Sequence, residues 1–241
     1  MLKQSHLQIE MDQLADIALL PGDPDRVDRI ATYCTDVEQV AQNREYNVLN
    51  ATYEGTDLTI ASTGIGAPSA AIAIEELANV GVETIIRVGS TGGLQDGIEI
   101  GDMVVATAAA KNEGTSDRYE STEYPAVADY DVLTSLVETA EENDEDVHVG
   151  PIATDDAFYN ETEEIVADWE DAGILAVEME ASALFTLARR RGIRAGAICT
   201  VDGNLVEGTQ KGATDKRELP DKAKNNIGRA IEIALDAATQ L

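Results

Sequence analysis

The chain has 241 residues, of which 44% are hydrophobic and only 4% aromatic, which is enough apolar material for one sizeable core. Forty-six acidic residues against 17 basic ones give a formal net charge of −29, which excludes a basic face for nucleic acid or for an anionic membrane. No apolar run reaches the roughly 18 residues that a membrane-spanning helix needs, and residues 1–6 lack the apolar core of a signal peptide.

Strand-like and helical runs alternate along the chain, which is typical of an α/β fold around a mixed or parallel sheet. The predicted strands, in chain order, are 16–20, 47–53, 58–62, 84–88, 102–106, 148–153, 175–177 and 195–201. The predicted helices are 25–32, 68–80, 132–142, 163–171, 180–191 and 220–239. Residues 54–57 carry a hairpin signal, and the glycine-rich stretch 207–212 is predicted to be a mobile lid. Because no repeat or linker divides this series, we expect a single domain over residues 1–241.

The acidic residues are scattered along the chain and are not gathered into one tail. This distribution favours a protein that stays soluble in concentrated salt, where screening removes the self-repulsion of its charges. Cys34 and Cys199 lie far apart without metal-ligand spacing, and we predict that both are buried thiols in a reducing compartment. We therefore expect a cytoplasmic protein from a salt-loving source.

Two arginine-containing segments follow or lie within predicted strands, where α/β sheets place their ligand sites. Gly22 leaves a backbone N–H at a helix start, which favours an anion, and Arg26 adds a guanidinium one turn later. A tight turn with a surface arginine is the alternative. Arg87 lies inside an apolar strand, which is costly unless the side chain has an anionic partner. Glycines and hydroxyls follow it, but no P-loop lysine does, and a structural salt bridge is the alternative.

Carboxylates follow two further strands. Glu178, Met179 and Glu180 lie between an apolar strand and a helix, where a carboxylate can accept hydrogen bonds from sugar hydroxyls. In the alternative interpretation, Glu180 is an ordinary acidic residue at a helix N-terminus. Asp202 ends a strongly apolar strand, so it is either a proton donor whose pKa is raised by desolvation or the start of a turn.

Taken together, these segments resemble the nucleoside phosphorylase family that includes uridine phosphorylase and the hexameric purine nucleoside phosphorylases. The matching stretches are PGDPDRV at 21–27, NREY at 43–46, STGIGAPSAAIAIEEL at 62–77, RVGSTGG at 87–93, YPAVADYDV at 124–132 and VEMEA at 177–181. Each stretch is weak by itself, but their order along nearly the whole chain is specific. The resemblance implies a single-domain, three-layer αβα fold in which helices flank a central mixed sheet that is partly barrel-like.

The resemblance also implies roles for individual residues. The residues that match the phosphate site are Gly22, Arg26, Arg87, Ser90 and, contributed by a neighbouring subunit, Arg44. Those that match the ribose site are Met179, Glu180 and His6, which reaches the 5′-hydroxyl across the same interface. Those assigned to the base are Phe158, which packs on it, Glu178 and Asp202. The residues expected to carry catalysis are Arg87, Glu180 and Asp202.

The implied reaction is phosphate-dependent cleavage of the N-glycosidic bond of a ribonucleoside, which gives free base and ribose 1-phosphate. Phosphate held by arginines faces C1′ and stabilises an oxocarbenium-like transition state by its position and charge. No metal-ligand set is visible, and no cofactor is expected, since inorganic phosphate is a co-substrate. The resemblance further implies a homo-oligomer with a dimer as the minimal unit, commonly three dimers in a ring.

The choice of base depends on fewer residues. The segment after Phe158 lacks the Gln-x-Arg pair with which uridine enzymes read the pyrimidine edge. Asp202 could protonate N7 of a leaving purine, which favours guanosine or inosine. Similarity to the uridine subgroup in 22–27 and 62–69 keeps uridine phosphorylase as the alternative. Hydrolysis by a nucleosidase and a non-catalytic nucleoside-binding protein are further alternatives, but the retained arginines and Glu180 favour phosphorolysis over both.

Overall fold

The computed structural model describes residues 3–209 and 221–241, and nine strands in these ranges form one mixed sheet. The strands are β1 (Ile17–Leu20), β2 (Thr35–Asn43), β3 (Tyr46–Tyr53), β4 (Thr56–Ala61), β5 (Thr84–Gly93), β6 (Met103–Asn112), β7 (Val147–Asp155), β8 (Ala176–Glu178) and β9 (Arg194–Asn204). The α-helices are α1 (Pro24–Ala31), α2 (Ala67–Asn79), α3 (Tyr130–Glu142), α4 (Glu163–Asp171), α5 (Ala181–Arg191) and α6 (Asp221–Ala238).

Part of the sheet closes on itself. The strand order is β2-β3-β4-β1-β5-β8-β7-β6-β9, and β9 also pairs with β5. Strands β5, β8, β7, β6 and β9 therefore form a closed ring, while β1, β4, β3 and β2 extend from β5 as an open sheet. This arrangement is the partly barrel-like mixed sheet that the sequence predicts. Its closure depends on the long β5, which pairs in parallel with β9 from Thr84↔Arg194 to Gly93↔Asn204.

Helices cover both faces of this sheet, which confirms the predicted three-layer arrangement. On one side, the alanine-rich α2 and the buried first two turns of α5 pack into one hydrophobic cluster. On the other side, α1, α3 and α6 supply a second cluster. The helix ends follow local chemistry: Pro24 starts α1 behind the capping side chain of Asp23, and Gly192 ends α5 in a left-handed conformation with φ of 72°.

All the predicted strands and helices are present, with ends shifted mostly by one or two residues, although β5 and β6 run five or six residues further than predicted. The predicted hairpin is confirmed, because β3 and β4 are antiparallel and Glu54 and Gly55 both have the positive φ that a tight two-residue turn requires. The sequence missed strand β2. It is an exposed edge strand with two register irregularities, so its residues show no alternation of apolar and polar side chains.

Three further expectations can be compared with the structure. Both cysteines are free thiols, but only Cys199 is buried, whereas Cys34 is partly exposed in the turn between α1 and the exposed edge strand β2. The second half of the predicted lid at 207–212 lies outside the described residues, which end at 209 and resume at 221. Within the described ranges, no helix combines the length and apolar character that crossing a bilayer requires.

Candidate functional site

A buried cluster of three charged side chains joins strand β5 to the β8–α5 junction. The Arg87 side chain in β5 is 5% exposed, and its Nε lies 2.9 Å from Oε2 of Glu178, at the end of β8. Arg87 Nη2 donates a short hydrogen bond to Glu180, the residue before α5. Burial lowers the pKa of Arg87, but the carboxylates of Glu180 and Glu178 more than offset this effect, and the pKa lies above its ordinary value. The arginine is therefore charged and shared by two acids.

Glu178 is fully engaged inside the protein. Its Oε1 accepts a hydrogen bond of 2.7 Å from Thr154 Oγ1, and its Oε2 accepts one of 2.8 Å from the backbone N–H of Glu180. Both oxygens also lie within 3.0 Å of the N–H of Ala181. The predicted contact between Glu178 and the base stays a prediction, and these internal contacts do not support it.

Glu180 occupies a different position. Its Oε1 accepts a hydrogen bond of 2.6 Å from the N–H of Gly66, which precedes α2. Burial raises the pKa of Glu180 to about 7; Arg87 opposes this shift, and the negative charge of Glu178 adds to it. Two carboxylates thus share one guanidinium.

A second arginine lies beside the first. Arg26 in α1 donates a hydrogen bond of 3.1 Å from Nη1 to the carbonyl oxygen of Val88 in β5. Burial and then the charge of Arg87 lower the pKa of Arg26. Among the described residues, Nε and Nη1 of Arg87 are both buried without a hydrogen bond of good geometry, but Nε has the Glu178 carboxylate at 2.9 Å, whereas Nη1 has no such partner. A buried donor without an acceptor costs about 1–3 kcal/mol of stability. An anion that accepts a hydrogen bond from Nη1 and lies between the two guanidinium groups would remove this cost.

The backbone around the two arginines is tightly packed. A Cβ at Gly89 would lie 2.9 Å from Cys199 Sγ and 3.1 Å from Arg87 Nη2, so only glycine leaves the guanidinium in place. Gly22 accepts a hydrogen bond of 3.0 Å from the N–H of Gly64, which joins the loop after β1 to the loop after β4. Ser90 follows Gly89 in β5 and is paired in register with Thr200.

Asp202 occupies an irregularity in β9. Thr91 pairs with Val201 and Gly92 pairs with Gly203, so Asp202 is the extra residue of a β-bulge. Bulges re-aim a side chain at the point where strand pairing breaks. The charge of Asp202 acts on Arg26, where it partly opposes the lowering of the Arg26 pKa by burial and by Arg87, so Asp202 lies on the same side of the fold as the arginine pair.

The loop that carries Phe158 is fixed to the end of β6. Asn112 donates a short hydrogen bond to Asp155, and the N–H of Gly114 donates one of 3.0 Å to Asp156. Phe158 is partly buried and contacts the ring of Tyr159 edge-on at 5.0 Å between centroids. Met179 is also partly buried and lies between the two site carboxylates.

His6 and Arg44 lie near each other on this chain. Arg44 is exposed at the tip of the β2–β3 turn, with φ of 55°. The neighbouring Asn43 donates a hydrogen bond of 2.7 Å to the carbonyl oxygen of His6, whose Nδ1 lies 2.8 Å from Glu76 Oε1. The structure thus places both residues on one surface, in agreement with their shared assignment to a neighbour's site. That assignment stays a prediction.

The structure brings together Arg26, Arg87, Glu178, Glu180 and Asp202, which lie far apart in the sequence. The sequence missed Gly66 and Thr154, which hold the two carboxylates. The glycine before a predicted helix was the available signal for Gly66, whereas Thr154 had none. Within 3–209 and 221–241, no group of three or more His, Cys, Asp or Glu side chains could hold a metal ion. The roles in binding and catalysis inferred for these residues remain predictions.

Comparison with known proteins finds relatives of nearly the whole chain. The family model described as the phosphorylase superfamily matches residues 16–239. A guanosine phosphorylase of Halorubrum lacusprofundi is 66% identical over 241 residues and covers 100% of both chains. A uridine phosphorylase of Thermococcus kodakarensis is 44% identical over 216 residues, which are 84% of this chain and 78% of that one. A crystal structure of uridine phosphorylase from Vibrio fischeri superposes with a TM-score of 0.92 at 37% identity, covering 99% of this chain and 97% of that one.

Proposed function

This chain belongs to the phosphorylase superfamily, and from that premise we propose that it cleaves a purine ribonucleoside with inorganic phosphate, giving free base and ribose 1-phosphate. Guanosine and inosine are the favoured substrates. The observation that carries the proposal is the buried Nη1 of Arg87, which has no hydrogen-bond partner among the described residues, next to a second arginine, Arg26. The 66% identity to a guanosine phosphorylase over the full chain supports the same reaction and the same base.

Phosphate is the anion that this pair of arginines suits. A bidentate guanidinium binds phosphate oxygens well, and the net charge of −29 leaves few other places where an anion is attracted. Gly22 and Ser90 complete the phosphate site in this proposal. Water as the nucleophile would need no cationic site, so the arginine pair favours phosphorolysis over hydrolysis.

The remaining groups divide between sugar and base. Glu180 accepts hydrogen bonds from the 2′- and 3′-hydroxyls, with Met179 packed against the ribose. Phe158 stacks on the base, and Asp202 donates a proton to N7 as the bond to C1′ breaks. The reaction requires no cofactor, because the phosphate itself is the nucleophile and the protein supplies position and charge.

The complete site includes residues from a neighbouring subunit. His6 reaches the 5′-hydroxyl and Arg44 reaches the phosphate of the adjacent protomer, so the functional unit is at least a homodimer, within a hexamer built from three such dimers. The common location of these two residues supports this assembly. We further propose a cytoplasmic location and a salt-loving source, the latter on the basis of the net charge.

Uridine phosphorolysis is the second candidate, because the relative from Thermococcus kodakarensis and the structure from Vibrio fischeri are both uridine phosphorylases. The test is release of free base from guanosine, inosine, adenosine and uridine in concentrated KCl, with and without phosphate. We expect phosphate-dependent release from guanosine or inosine. Release from uridine alone would replace the purine assignment, and release without phosphate would refute phosphorolysis.

A further inference from the structure

At the β8–α5 junction, the residue that caps the first turn of the helix is not the residue that directly precedes it. The residue before a helix normally uses its own side chain to accept the unpaired N–H groups of the first turn. Glu180 occupies that position before α5 but makes no capping hydrogen bond. Its carboxylate instead extends to Arg87 and to the N–H of Gly66.

Glu178 supplies the missing cap from two residues upstream. Its oxygens accept the N–H groups of Glu180 and Ala181 at 2.8–3.0 Å. Thr154 Oγ1 donates to Glu178 and accepts the N–H of Ser182 at 2.8 Å, which ties the first turn of α5 to strand β7. The same carboxylate lies 2.9 Å from Nε of Arg87.

We propose that Glu178 is a positioning residue: by capping α5 and fixing Nε of Arg87, it leaves the Glu180 carboxylate for the ribose and Nη1 of Arg87 for phosphate. The roles of Glu180 and Arg87 in this inference rest on the proposed function. The capping itself follows from the contacts alone. Glu178 therefore acts on the reaction through two other side chains and does not touch the substrate.

The charge of Glu178 gives the inference a signature in the pH dependence. The groups that face Glu180 are Arg87 from β5, Glu178 from β8, Cys199 from β9 and, beyond Arg87, Arg26 from α1. Of these, Glu178 is the negative charge that raises the pKa of Glu180 beyond the effect of burial. Neutralising Glu178 should therefore lower the pKa of Glu180, because Arg87 then has one carboxylate to neutralise.

The test compares Glu178→Gln with wild type. Glutamine keeps the length and one acceptor oxygen, but its NH₂ group cannot accept from Thr154 or from the N–H groups that bind the carboxylate. We expect kcat to fall about tenfold or more, because the side chains of Arg87 and Glu180 lose their fixed positions. We also expect the acid limb of the kcat profile to move to lower pH by about one unit.

Asp129→Ala is the matched control, since Asp129 caps α3 through the N–H of Asp131 and has no role in the proposed reaction. It should lower the stability by about as much as loss of a cap does elsewhere and leave kcat and the acid limb unchanged. A Glu178→Gln enzyme that behaves like this control, with kcat within about twofold of wild type and an unmoved acid limb, would reduce Glu178 to a structural cap and overturn the proposal.

A second measurement separates this inference from the proposed function. The carboxyl carbon of Glu180 can be titrated by ¹³C NMR in wild type and in Glu178→Gln, with the signal assigned by its loss in Glu180→Gln. This titration needs no enzymatic activity, so a pKa that does not fall refutes the positioning role even if no nucleoside is cleaved. Absence of phosphate-dependent base release from wild type would refute the proposed function alone.

Discussion

Replacing Arg87 by methionine tests the site most severely. The side chain keeps a similar length, but the variant leaves Glu178 and Glu180 buried at the same junction without their shared cation. Removing one partner of a buried ion pair typically costs about 3–5 kcal/mol of unfolding free energy. If Arg87 also holds phosphate, kcat/KM should fall by at least roughly 100-fold, which corresponds to about 2.7 kcal/mol of transition-state stabilisation.

The loss of stability should depend on pH. Without Arg87, burial and the nearby charge of Glu178 raise the pKa of Glu180 in the folded state further above its unfolded value. Such groups contribute stability below the unfolded pKa, and this contribution is lost as pH rises through the folded pKa. Urea denaturation should therefore show a smaller deficit for Arg87→Met at about pH 5 than at about pH 8.

A double variant separates the two effects of this substitution. Arg87→Met combined with Glu180→Gln removes the repulsion, so it should recover part of the stability at neutral pH without recovering activity. Activity is measured by base release from guanosine and stability by denaturation of the same preparations. Near-normal rates in Arg87→Met would refute the phosphate site, and an equal loss of stability at both pH values would refute the electrostatic explanation.

Three further substitutions or conditions test other parts of the reasoning. Glu180→Gln should lower kcat/KM at least roughly 100-fold. It should also weaken the loss of stability that the wild type shows as pH rises from the ordinary pKa of 4.5 to about 7, because this loss comes from ionisation of the buried Glu180. If denaturation curves of the variant show the same loss, another group is responsible for it. Asp202→Asn should slow guanosine cleavage far more than uridine cleavage, because only a purine accepts a proton at N7; equal losses with both substrates would remove Asp202 as the donor. The melting temperature should rise steeply with KCl, because salt screens a net charge of −29, whereas full stability in dilute buffer would contradict adaptation to salt.

Most of the fold was predictable from local sequence. The apolar strands and the alanine-rich α2 follow from patterns within ten or so residues, as does the turn at Glu54 and Gly55. Strand β2 was not predictable in this way, because an exposed edge strand with bulges owes its conformation to its neighbour β3 and not to a buried face of its own.

The candidate site was predictable in its residues but not in its contacts. Arg87 inside an apolar strand required an anionic partner, and Glu178 and Glu180 were visible as carboxylates after a strand. The sequence assigned Glu178 to the base, whereas the structure shows it engaged by Thr154, Arg87 and the start of α5. Nothing local distinguishes the two acids, since they are two residues apart and chemically identical.

The sequence by itself therefore determined the alternation of strands and helices, the strongly acidic character of the protein and the residue types available for chemistry, because each depends on neighbours along the chain. The tertiary structure decided the closure of β9 onto β5, the bulge that contains Asp202 and the different hydrogen-bond partners of Glu178 and Glu180. These features depend on strand register and on contacts between segments up to 114 residues apart, as between Gly66 and Glu180. Such contacts are fixed only when the whole sheet has formed, because a shift of one residue in register reverses the face to which every side chain points.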